Sequence, residues 1–154
     1  MRRWCVVVLV LVVLLAWQTP VSAQLMNSAW PGFRHDSLHT GRSELTGPNS
    51  AILAWSRQLG ASISSAAVGT DAVYAFAGGN LTAVSFSGEI VWSYACGTGG
   101  KSSPAVSSTG VVYVASGAWL YAVNTDGTLK WKKSLPGSCE ASPTIGPDGT
   151  VYIG

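Results

Sequence analysis

From Ala51 onward the chain is built of short apolar runs separated by Gly, Ser, Thr and Asp, and apolar residues nowhere recur at helical spacing. Where the pattern is clearest it alternates. Leu120 and Ala122 mark an apolar face, Asn124-Thr125-Asp126-Gly127 follows as a polar turn, and the chain returns through Leu129-Lys130-Trp131. Glycine takes positive φ at no steric cost, so Asp126-Gly127 predicts a hairpin between two strands. The same pattern stands earlier, from Leu81 to Trp92, with Leu, Ala, Val, Gly and Trp at matching places.

This hairpin belongs to a longer repeat. Trp55, Trp92 and Trp131 recur at intervals of 37 and 39 residues, and Tyr74, Tyr113 and Tyr152 at 39 and 39. Leu81 and Leu120 are 39 apart, as are Gly88 and Gly127, and Ser103-Pro104 returns as Ser142-Pro143. A period of about 40 residues made of short strands is that of a β-propeller blade; the helical repeats of similar length need helix formers that this Gly/Ser/Val/Tyr texture lacks. One full unit is predicted from Ser103 to Trp131. Its inner strand is Pro104-Ala105-Val106, followed by strands at Val111 to Ala115, Leu120 to Val123 and Leu129 to Trp131. Ser116-Gly117-Ala118-Trp119 is predicted as the turn between the middle two.

The predicted fold class is therefore all-β, a partial β-propeller of four-stranded antiparallel blades. Ala51 to Trp55 matches only the outer strand of a blade, and Val151 to Gly154 falls in the second strand of another. The expectation is about two and a half blades plus an N-terminal closing strand, whereas a closed ring takes about four to eight blades. That makes the sequence a fragment of a longer propeller, with completion by self-association as the alternative. Residues 24–50 form an irregular, polar lead-in punctuated by Gly and Pro.

The front of the chain changes the charge picture. Arg2 and Arg3 precede an apolar run from Trp4 to Trp17, and Val21-Ser22-Ala23 places small residues before a cleavage site at Gln24. This is a secretory signal peptide over residues 1–23. The run is too short for the roughly 20 residues that span a bilayer, so no membrane span is expected after cleavage. Cys5 lies inside the run, which argues against a lipoprotein anchor. Nine Lys and Arg stand against seven Asp and Glu; once Arg2 and Arg3 leave with the signal, the remainder is neutral. Nucleic acid is thus not an expected partner, since it requires a basic surface. The chain is expected outside the cytoplasm, periplasmic or extracellular.

Export permits disulfides, and Cys96 and Cys139 fall in successive connectors after Trp92 and Trp131. A bridge between them and two separate thiols are both open. Other candidate chemistry is sparse. Ala95 to Ser102 reads as a relaxed phosphate-binding loop, but a strand rather than a helix is predicted after it. His35, Asp36 and His39 could share a metal if helical, yet Pro31, Gly32 and Gly41 surround them, so hydrogen bonds tethering the lead-in to the ring are the better reading. Asn80-Leu81-Thr82 is a glycosylation sequon, though Gly78-Gly79-Asn80 also reads as a β-turn, and Asn124 to Gly127 and Pro147 to Gly149 read as hairpin turns rather than calcium loops. No catalytic set and no resident metal or cofactor is expected in these residues.

The sequence Ala122-Val123-Asn124-Thr125-Asp126-Gly127-Thr128-Leu129-Lys130-Trp131, with its earlier copy from Ala83 to Trp92, resembles the PQQ-like (quinoprotein-type) β-propeller repeat. Trp30 to Ser43 is similar to a segment that precedes such propellers in exported bacterial proteins, so the likeness covers Trp30 to Gly154. The resemblance implies that Trp55, Trp92 and Trp131 dock one blade on the next, with Gly88 and Gly127 of the repeated hairpin counted among the structural docking residues. Trp119 lies off that repeated position and is the candidate surface aromatic. Because the fold hosts several functions, the resemblance points first to a non-enzymatic scaffold for other proteins, as in relatives that scaffold outer-membrane-protein assembly. A PQQ-dependent dehydrogenase, with PQQ and calcium, is the alternative; its adjacent Cys-Cys pair and acidic calcium ligands are not in these residues. A sensor or carbohydrate-binding propeller is the third.

Overall fold

A computed structural model of the protein describes residues 25–61, 64–97 and 100–154. The signal peptide and its cleavage site lie outside the described residues.

Two blades are complete. The first is β1 (Ala67–Val68), β2 (Ala72–Ala77), β3 (Asn80–Ser85) and β4 (Ile90–Ala95); the second is β5 (Ala105–Val106), β6 (Val112–Ser116), β7 (Trp119–Val123) and β8 (Leu129–Ser134). Each is a four-stranded antiparallel sheet in sequence order, and β9 (Thr144–Ile145) and β10 (Val151–Tyr152) form a two-stranded sheet after them. The register repeats with the sequence: Ala67 faces Tyr74, Ala105 faces Tyr113, and Thr144 faces Tyr152. Even the irregularity repeats, with a register shift at Ala83/Val84 in one blade and Ala122/Val123 in the other. In both blades the shift lies beside the turn whose glycine, Gly88 or Gly127, has positive φ, and the extra residue, Val91 or Lys130, is on the outer strand.

Alternation along the strands sends successive side chains to opposite faces, and the second blade buries one face on each of its neighbours. Tyr74, Phe76, Leu81 and Ala83 of the first blade meet Val106, Val112, Val114, Tyr121 and Val123 of the second in one apolar cluster. The other face of the second blade, with Tyr113, Leu120 and Ala122, packs on Ile145 of β9. Burying side chains such as Phe76 and Val114, both 0% exposed, contributes about 1.5–3 kcal/mol each, and no single blade supplies that burial by itself.

Two expectations change in detail. Ala51 to Trp55 is not a strand: it has no ladder partner among the described residues, and Ala51 to Ala54 are exposed. Trp119 is not a turn residue but opens β7, paired with Ser134, because Gly117 takes a φ of 56° and the tight turn closes one residue earlier.

Candidate functional site

The lead-in is not loose on the outside of the blades. Leu25 bridges Ser107 and Trp30 bridges Val68, so one short segment adds to the inner strands of both complete blades. The Met26 amide donates to Val106 O at 2.9 Å, the Val106 amide to Pro31 O at 2.8 Å, and the Val68 amide to Trp30 O at 2.6 Å. The Ser28 hydroxyl also donates to Val68 O. Further on, His39 Nε2 and Thr144 Oγ1 share a hydrogen bond of 2.7 Å, which carries the lead-in to β9. Inner strands of all three sheets are thus held by one segment.

A tight turn makes this reach possible. Arg34, His35 and His39 take φ of 57°, 75° and 55°, each costing about 1–2 kcal/mol for a residue with a Cβ. Asp36 offsets this: the Leu38 and Thr40 amides donate to Oδ1 at 2.9 and 3.1 Å, and the Thr40 hydroxyl donates to Oδ2. The Thr40 hydroxyl, then the Thr40 amide, hold the Asp36 carboxyl below its ordinary value. His35 stacks edge-on against Trp30, ring centroids 5.2 Å apart, and its buried Nδ1 has no hydrogen-bond partner, lying 3.7 Å from Asp36 Oδ2. His39 is engaged by Thr144, so the three residues do not converge on one point. Among the described residues no group of three or more His, Cys, Asp or Glu side chains is placed to hold a metal.

The repeated tryptophans and glycines meet across blades. Trp55 lies over Gly88: a Cβ on that glycine would stand 2.9 Å from the indole, and Trp55 Nε1 donates to Phe86 O at 2.9 Å. Trp92 lies over Gly127 in the same way, with a Cβ reaching 2.7 Å from Trp92 Cγ and Nε1 donating to Thr125 O at 2.7 Å. The glycines are therefore required twice, for φ near 88° and 84° and for the close approach of the ring. Arg57 reinforces the first contact, with Nε donating to Gly88 O at 2.7 Å and the guanidinium 3.2 Å from Glu89. Trp131 differs. It rests on Tyr113 of its own blade, ring centroids 5.7 Å apart, and is 37% exposed.

The two cysteines are separate thiols, so no bridge joins the successive connectors. Cys96 is turned into the core between blades, 2% exposed, and burial pushes its thiol up from 9.0 to about 11. Cys139 sits at the surface with Sγ 3.4 Å from Gly154 O. Trp119 is 39% exposed and carries the Lys132 ammonium over its ring at 4.7 Å. The glycine-rich connector leads into β5 rather than a helix, and part of it (98–99) lies outside the described residues. Its serines work in the fold instead: the Ala115 amide donates to Ser102 Oγ and the Ser103 amide to Ser142 Oγ. Asp126 and Asp148 accept from Thr128 and Thr150 and close hairpin turns. Asn80 begins β3, where its amide group donates to Gly78 O at 3.4 Å.

No helix of the described residues is long and apolar enough to cross a membrane. No curated protein matches the chain. A PQQ-repeat family profile described as outer membrane protein assembly factor BamB matches residues 39–154, which takes in every strand and the turn-borne glycines under Trp55 and Trp92. With the match spanning well over half its length, and the blades repeating the same pairing and docking, the chain belongs to this BamB-type PQQ-repeat family.

Proposed function

We propose that this protein is an exported, non-enzymatic propeller scaffold that holds other proteins in the cell envelope. The observation that carries the reading is the tryptophan-on-glycine docking, which fixes successive blades against each other while the outer strands β4 and β8 stay largely exposed. A rigid array of blades with exposed outer strands and turns suits the capture of partners through loops or added strands. The family's description, as an outer-membrane-protein assembly factor, agrees with an envelope location and a protein partner.

The test places a photo-crosslinking residue at exposed Phe86 or Trp119 in cells that export the protein. Adducts with envelope proteins are expected from at least one position. Dye reduction by the folded, purified protein on adding PQQ and calcium would overturn the reading in favour of a dehydrogenase.

A further inference from the structure

We propose that the free edge of β8 is a docking site for an extended, acidic segment of a partner protein; this deepens the scaffold reading and rests on it. Among the described residues β8 pairs only with β7, and all six of its residues are exposed. It presents Lys130, Lys132 and Lys133 in four positions, and none of the three is in an ion pair among the described residues. The carboxylates nearest in sequence are engaged elsewhere, Asp126 by Thr128 and Glu140 by Lys101. The positive charge on this edge therefore has no carboxylate partner among the described residues.

Edge lysines also serve to repel unwanted strands. That role does not account for the pattern. The matching outer strand of the first blade, β4, has the same free edge and carries no charged residue at all, reading Ile90-Val91-Trp92-Ser93-Tyr94-Ala95. Trp119 and Lys132, stacked at 4.7 Å, replace Asn80 and Ser93 of the first blade. Of the two complete blades among the described residues, the basic edge is thus a departure found in the second. Trp131 and Lys133 point to one face of β8 and Lys132 to the other, so a partner strand would meet positive charge on both faces and an indole beside each. The unpaired backbone groups of the edge would supply main-chain hydrogen bonds, and the lysines would select glutamate- or aspartate-rich sequence.

The experiment uses the mature chain and a labelled peptide of alternating glutamate and valine, followed by fluorescence anisotropy. Binding should weaken by about tenfold or more in K130E/K132E/K133E, and should also fall as salt is raised. Methylating alternate peptide-bond nitrogens of the peptide should abolish binding, and Trp119→Ala should weaken it. Circular dichroism confirms that the variants fold. Equal binding of a lysine-valine peptide, or affinity unchanged by the charge reversal, would overturn the site. No peptide binding, together with envelope crosslinks retained in the triple variant, would overturn the edge site while leaving the scaffold reading in place.

Discussion

His39 and Thr144 lie 105 residues apart in sequence and share a 2.7 Å hydrogen bond between Nε2 and Oγ1. It joins a turn of the lead-in, strained at His39, to the inner strand of the last sheet. His39→Ala and Thr144→Val should each destabilise the protein by about 1 kcal/mol. The double variant should cost less than the sum, because the two changes remove one interaction. Urea unfolding of the four proteins checks this, and strictly additive losses would mean that the pair is not coupled.

The Asp36 carboxyl supports the same turn and depends on pH. Its folded value lies below 3.8, so its contribution is present above that value and is lost as pH falls through the folded one. Limited proteolysis within the lead-in should therefore accelerate in acid, below about pH 4. Asp36→Asn should show that susceptibility already at neutral pH.

Gly88→Ala should cost about 2–3 kcal/mol, combining a backbone of φ 88° with a methyl 2.9 Å from Trp55. Gly137→Ala serves as the control: a Cβ there meets nothing within 4 Å, and its cost should stay within about 0.5 kcal/mol. Thermal or denaturant unfolding distinguishes the two.

The tryptophans should separate by their surroundings. Trp92 is held between Gly127 and Tyr74, whose ring centroid is 5.8 Å away, and Trp92→Ala should cost about 3 kcal/mol. Trp131 rests on Tyr113 and stays 37% exposed, so Trp131→Ala should cost about 1 kcal/mol in this chain.

The thiols should react unequally. A thiol reagent at neutral pH should modify Cys139 quickly and Cys96 only on unfolding, since burial both shields Cys96 and keeps it protonated. Burial likewise raises Tyr74, Tyr113 and Tyr121. The fold favours the protonated forms; for Cys96 that stabilisation is complete below 9.0 and lost as pH rises from there through about 11. The melting temperature should fall across that window.

Much of this was legible in the sequence, for a physical reason. Trp92 docks one blade on the next against Gly127, Trp55 of the preceding segment sits on Gly88 in the same way, and both partners leave a side-chain signature that recurs with the blade. The lead-in leaves one only at its far end, where His39, read as a tether to the ring, meets Thr144. Leu25 with Ser107 and Trp30 with Val68 pair through backbone amides and carbonyls, which any residue can supply, so its attachment to β1 and β5 was hidden behind a polar, irregular composition. Trp131 carries the same signature as Trp92, yet its burial depends on a facing turn, which sequence pattern does not report. The β8 lysines were readable as residues, but not that their strand is an edge or that none of them is in an ion pair among the described residues.

The docking of one blade on the next by a tryptophan on a glycine is tested most directly by a double-mutant cycle on Trp92 and Gly127. The methyl of Gly127→Ala clashes with the Trp92 indole, so removing the indole should relieve it. The double variant should be about 1–2 kcal/mol more stable than the sum of the single losses predicts. Additivity within about 0.5 kcal/mol would contradict that contact, and with it the rigid join between blades on which the scaffold reading rests.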